Sequence, residues 1–107
     1  MPSRRKFKKI VKQNTRNAVE EILALNSFDS QENVNHYQQL VEQVVEKEIA
    51  TVQNLSNSAV SKAASPKEHF RSLRNEYDTW IIGLSQELDD REEALISAIR
   101  KEQTPNA

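Results

Sequence analysis

The residues whose type and spacing point to chemistry lie at the start of the chain. Arg4, Arg5, Lys6, Lys8, Lys9, Lys12 and Arg16 all precede the first carboxylate, Glu20. The whole chain has a formal net charge of −1, from 15 Lys and Arg against 16 Asp and Glu, so its near-neutrality hides a strongly basic opening and an acidic remainder. Closely spaced cations neutralise the phosphates of a polyanion and give binding that weakens steeply with salt. Helix stability does not explain them, because the macrodipole disfavours positive charge at a helix N-terminus. The simplest alternative is a solvated basic segment that aids solubility.

Other reactive groups are few. With no cysteine there is no disulfide, thiolate metal site or cysteine nucleophile. No glycine-rich phosphate loop, nucleophile elbow or helical pair of histidines occurs. The two histidines, His36 and His69, fall near the starts of different predicted helices, which antiparallel packing sends to opposite ends. Glu48 lies on a predicted apolar face, where it reaches the edge of the seam or meets a cation such as Arg91. The expectation is therefore no enzyme, no catalytic or metal-binding residues, no cofactor and no small-molecule substrate.

The elements that position these groups follow from hydrophobic periodicity. One glycine and three prolines in 107 residues leave little turn punctuation, so few and long elements are expected. Phe7, Ile10, Val11, Ala18, Ile22 and Leu25 recur at helical spacing and predict a helix over 3–25, with Asn14 on the same stripe. Val34, Tyr37, Val41, Val44, Val45, Val52, Leu55 and Ala59 predict a second helix over 30–62, entered through Asp29 and Glu32 at capping-box spacing. Ser65-Pro66-Lys67-Glu68 combines a serine cap, a proline at the first helical position and a glutamate at the third. It opens a third helix over 66–100 with the stripe Phe70, Leu73, Tyr77, Trp80, Ile81, Leu84, Leu88, Leu95 and Ile99. Asp89 and Asp90 ahead of Glu93 allow a kink or break near Asp90 with a short fourth helix beyond it. Residues 101–107 are expected to be a disordered tail.

Short connections between long helices lead to an all-α, antiparallel up-down-up three-helix bundle forming a single domain. In that arrangement Lys62, Lys67, Arg71 and Arg74 join the seven early cations at one pole, while Glu20, Glu21, Asp29, Glu32, Glu87, Asp89, Asp90, Glu92 and Glu93 collect at the other. The basic pole is the candidate site for an anionic partner: nucleic acid first, with an anionic membrane surface or another copy's acidic pole as alternatives. Phe7, amid the cations, fits the core stripe better than a base-stacking role. Unequal helix lengths, with Ile49, Val60, Ile82 and Ile96 off the main seams, leave part of the helix 2 and helix 3 surface open to a homodimer or a second protein. No apolar run reaches the roughly 20 residues of a membrane span, and the opening segment lacks a secretion signal, so the expected location is cytoplasmic.

The run Lys67-Glu68-His69-Phe70-Arg71-Ser72-Leu73-Arg74-Asn75-Glu76-Tyr77 resembles the opening of the third helix in a group of small uncharacterised bacterial three-helix proteins. These have a lysine-rich first helix, a long second helix and a third that begins Lys-x-x-Phe-x-x-Leu-Arg-x-Glu-aromatic. The resemblance implies an all-helical bundle without an assigned activity, and it assigns no functional residues. The arginine-rich first helix departs from that pattern.

Overall fold

The computed structural model describes residues 4–56, 59 and 64–103. These residues are helical, in α1 (Arg4–Phe28), α2 (Val34–Asn54) and α3 (Pro66–Gln103), with a 3-10 turn (Gln31–Asn33) leading into α2. No strand occurs among the described residues.

Local side-chain chemistry sets the ends of these helices. α1 continues past Leu25 because the Ser27 hydroxyl donates to the Ala24 carbonyl at 2.7 Å, within the helix, and the Asp29 N–H closes on the Leu25 carbonyl at 3.0 Å. Ser30 is extended and accepts from the Glu32 N–H at 3.3 Å, so the capping side chain at this corner is Ser30, and it opens the 3-10 turn. Asp29 instead takes the Ser30 N–H at 2.7 Å and the Asn33 amide at 3.1 Å. α2 stops at Asn54, well before residue 62. There the Leu55 N–H is shared between the carbonyls of Thr51 and Val52, and the Ser56 N–H turns back to Gln53. This tightening from α to 3-10 geometry ends many helices. At the third entry Ser65 accepts from the Glu68 N–H at 3.4 Å, Pro66 is the first helical residue, and the predicted cap is present. α3 runs unbroken through Asp89 and Asp90 to Gln103, so no break at Asp90 sets off a further helix, and residues 101–103 belong to the helix. The remainder of the predicted tail, 104–107, and the predicted end of helix 2 at residue 62 lie outside the described residues.

The apolar stripes meet in two clusters. Phe7 and Val11 of α1 join Leu55 and Tyr77, flanked by Phe70, Leu73 and Trp80. Ala18, Ile22 and Leu25 join Tyr37, Leu40 and Val44 of α2 and Leu84 and Leu88 of α3. The start of α1 therefore lies against the end of α2 and the first half of α3, and the end of α1 against the start of α2. The body is a rod of 66 × 23 × 18 Å. Several stripe residues sit at its edge instead of its core: Ile10, Val45 and Ile99 are exposed, whereas Leu40 and Thr51, absent from the predicted stripe, are buried. Both rows on α2 have helical spacing, and packing against α1 selects the row through Tyr37, Leu40, Val44 and Thr51. No helix among the described residues is long and apolar enough to cross a membrane.

Candidate functional site

The early cations are placed by α1, which begins at Arg4 with no acidic residue in its first turn. Phe7 and Val11 are buried, so Arg4, Arg5, Lys6, Lys8, Lys9, Lys12 and Arg16 are all driven to exposed positions. Arg5, Lys9, Lys12 and Arg16 follow i, i+4, i+7, i+11 spacing, which stacks them in one row with Lys8 beside it. Eleven residues at about 1.5 Å each make this row about 16 Å long. Its lower end borders α2: Arg5 and Lys8 line an open cleft with Val52, Leu55 and Ser56, and the Arg4 guanidinium donates to the Leu55 carbonyl at 3.3 Å. That bond satisfies a carbonyl at the end of α2 and holds one cation of the site in place.

The cations of α3 lie on the other flank of α1. Lys67 and Arg71 are exposed in the opening turns, and Arg74 lies 5.7 Å over the Phe7 ring while its Nε is 3.9 Å from Asp78. Phe7 in turn meets Phe70 and Tyr77 edge-on, with ring centroids 5.7 and 5.5 Å away. Of the ten described cations of the predicted pole, Arg4, Arg5 and Lys8 thus lie beside the end of α2 and Arg74 lies against Phe7 on the α3 side; Lys62 lies outside the described residues.

At the opposite end, sequence reasoning placed acids together without identifying the cluster they form. The carboxylates of Glu21, Asp89 and Glu92 lie within 4.8 Å of one another. Burial, and then the charges of Asp89 and Glu92, push the Glu21 carboxyl above its ordinary range. An all-oxygen trio suits a hard cation, although two of its members are exposed. The only sequence signal for it is the i, i+3 spacing of Asp89 and Glu92; the third member arrives from another helix. Nearby, Asp29 accepts from the Tyr37 hydroxyl at 2.5 Å. This bond is the main reason the Asp29 carboxyl is held below its ordinary range, and burial followed by the same carboxylate pushes Tyr37 up to about 12. Arg91 lies 5.9 Å over the Tyr37 ring, so it does not pair with Glu48, whose charge is instead felt by Tyr77 near the other end. Burial raises the Tyr77 phenol, and its buried hydroxyl has no hydrogen-bond partner among the described residues.

The histidines are similarly separated. His69 Nε2 is 2.9 Å from the Asn54 carbonyl and ties α3 to the end of α2. His36 stands beside Tyr37 at the start of α2, its Nε2 buried without a partner among the described residues. Compared with known protein families, with curated proteins and with solved structures, the chain matches none.

Proposed function

We propose that this chain is a non-enzymatic interaction protein, an antiparallel up-down-up bundle whose basic α1 row binds an anionic polymer, nucleic acid foremost, in the cytoplasm. The observation that carries this reading is the row itself. Five cations, Arg5, Lys8, Lys9, Lys12 and Arg16, project from one side of a helix that is fixed in place by buried Phe7, Val11 and Ala18. A run of cations on a packed helix presents a fixed array to a backbone of regularly repeated phosphates, and so loses less conformational entropy on binding than a free tail. The row contains no aromatic group, since Phe7 is committed to the core, so the reading is of backbone binding without base recognition.

The test is fluorescence anisotropy of labelled single- and double-stranded DNA and RNA at several salt concentrations. Contacts to five phosphates give a log–log salt slope of about −3.5 to −4.5, or roughly a hundredfold to several hundredfold loss between 50 and 200 mM salt. Replacing all five cations of the row with glutamine should abolish binding. Equal binding by that variant, or no binding by the native chain at low salt, would remove the proposal. A second reading, an adaptor that binds another protein through the α2 and α3 surface, is favoured by the exposure of Ile49 and Val45 on α2. Under it, the glutamine variant keeps its partner.

A further inference from the structure

A second surface shows a pattern unrelated to the α1 row. On α3, Arg71, Arg74, Ile82, Asp89 and Glu92 fall within one sector of about 80° at 100° per residue. Arg71, Ile82, Asp89 and Glu92 are exposed and the Arg74 side chain is 38 % exposed, so this face is open along its length. The charges on it are arranged symmetrically. Arg71 and Glu92 are equidistant from the midpoint between Ile81 and Ile82, and so are Arg74 and Asp89. Arg71 and Arg74 precede that midpoint and Asp89 and Glu92 follow it at matching distances; Lys67 and Asp78 lie in the same sector, and Asp78, 3.9 Å from Arg74 Nε, is mirrored by Ser85.

We propose that this face binds a second copy of the chain, α3 against α3 and antiparallel, about a two-fold axis at Ile81 and Ile82. The axis sets Arg71 opposite Glu92 of the partner subunit and Arg74 opposite Asp89 of the partner subunit, and repeats both pairs by symmetry. Three further observations agree with this occupant. Ile82, 68 % exposed, sits at the axis, where it meets its own symmetry mate. Asp89 and Glu92 crowd Glu21 within 4.8 Å, this chain directs Arg91 to the Tyr37 ring, and the axis brings the partner's Arg71 and the partner's Arg74 across from the trio. Finally, an apolar groove between the end of α1 and α3, lined by Phe28, Leu95, Ile96 and Ile99, lies where the same axis delivers the start of the partner's α3. Lys67 of the partner subunit falls opposite Ile96, and its aliphatic stem can cover the groove while its ammonium reaches Glu21 and Glu92 at the rim.

From residue 67 to residue 96 the face is about 44 Å long. One helix wide, it buries roughly 500 Å² on each partner, at the lower limit of specific interfaces. The dimer is accordingly weak, concentration-dependent and salt-sensitive. It uses no residue of the α1 row, and it stands independently of what the row binds.

Sedimentation equilibrium over a concentration series at low and high salt tests the proposal. The native chain should move from 12.3 kDa toward twice that mass as concentration rises at low salt, and back as salt is added. Arg71→Glu with Arg74→Glu makes the face predominantly acidic, with Lys67 remaining, and Asp89→Arg with Glu92→Arg makes it predominantly basic, with Asp78 remaining. Each double variant alone should be monomeric, and an equimolar mixture should form the heterodimer, which only this pairing predicts. As a check independent of charge reversal, Ile82→Cys should oxidise to a disulfide-linked dimer in a chain that otherwise lacks cysteine, whereas Ala94→Cys, off this face, should not. A native chain that stays at 12.3 kDa at every concentration in low salt would overturn the proposal, as would failure of the mixed variants, each with native helicity, to associate.

Discussion

Replacing Phe7 with alanine separates the two uses an aromatic ring amid seven cations could have. Phe7 is 2 % exposed and contacts Phe70 and Tyr77 edge-on, with the Arg74 guanidinium over its face. Truncating a buried phenylalanine to alanine costs about 3–5 kcal/mol, lost transfer energy and residual cavity together. Against a total stability of about 5–15 kcal/mol for a domain of ordinary size, that is a large fraction. At about 4 °C for each kcal/mol, thermal unfolding followed by helical circular dichroism should fall by about 12–20 °C. Ile10→Ala is the control. Ile10 belongs to the same sequence stripe but is 46 % exposed, so its truncation should stay within about 1 kcal/mol. Equal losses at the two positions would show that the first turns of α1 are not packed as described. An unchanged midpoint for Phe7→Ala, together with weakened nucleic-acid binding, would make Phe7 a contact residue and refute the core assignment.

Two further substitutions test the corners of the fold. The Asp29 carboxyl is held below its usual value of 3.8, chiefly by the Tyr37 hydroxyl, so this contribution to stability is complete above that value and is lost as pH falls through the lowered native one. Tyr37, raised from 10.0 to about 12, gives the opposite slope, its contribution complete below pH 10 and declining as the pH rises toward 12. Tyr37→Phe should flatten both limbs of the stability–pH curve, and carboxyl NMR should show Asp29 titrating nearer its ordinary value; an unchanged Asp29 titration would show that the bond is not what lowers it. Ser65→Ala removes the acceptor of the Glu68 N–H and should cost about 1 kcal/mol in urea unfolding, whereas Ser72→Ala, on the exposed surface of the same helix, should cost little. Equal costs at the two positions would mean that the cap contributes nothing.

What was legible in the residues themselves is what depends on neighbours in the chain. The three helices follow from repeated three- and four-residue spacing of apolar side chains, and the Ser65-Pro66 entry from a cap whose donor and acceptor lie three residues apart. Phe7, Val11, Ile22, Tyr77 and Leu88 were readable as core because each lies at the centre of its stripe, where any partner helix would cover it. Stripe edges were not readable in the same way. Ile10 and Val45 share the spacing of buried residues yet are exposed, and Leu40 and Thr51 are buried, because the width and direction of a buried face depend on where the neighbouring helices lie. The length of α2 was overestimated for a related reason: helical spacing persists past Asn54, but the backbone tightens at Leu55, where Arg4 from α1 takes its carbonyl.

Charge shows the division most clearly. The sequence alone determines that seven cations come before any acid and that they lie on a helix, since linear order and periodicity are enough for both. It does not determine that Arg5 and Lys8 border the end of α2 while Arg74 lies over Phe7 on the α3 side. Nor does it determine that Glu21 meets Asp89 and Glu92, or that Arg91 turns to Tyr37 instead of Glu48. Those are relations between helices far apart in the chain. They depend on the rotation of each helix about its own axis, and that rotation is set by the packing of the core and is written in no local pattern.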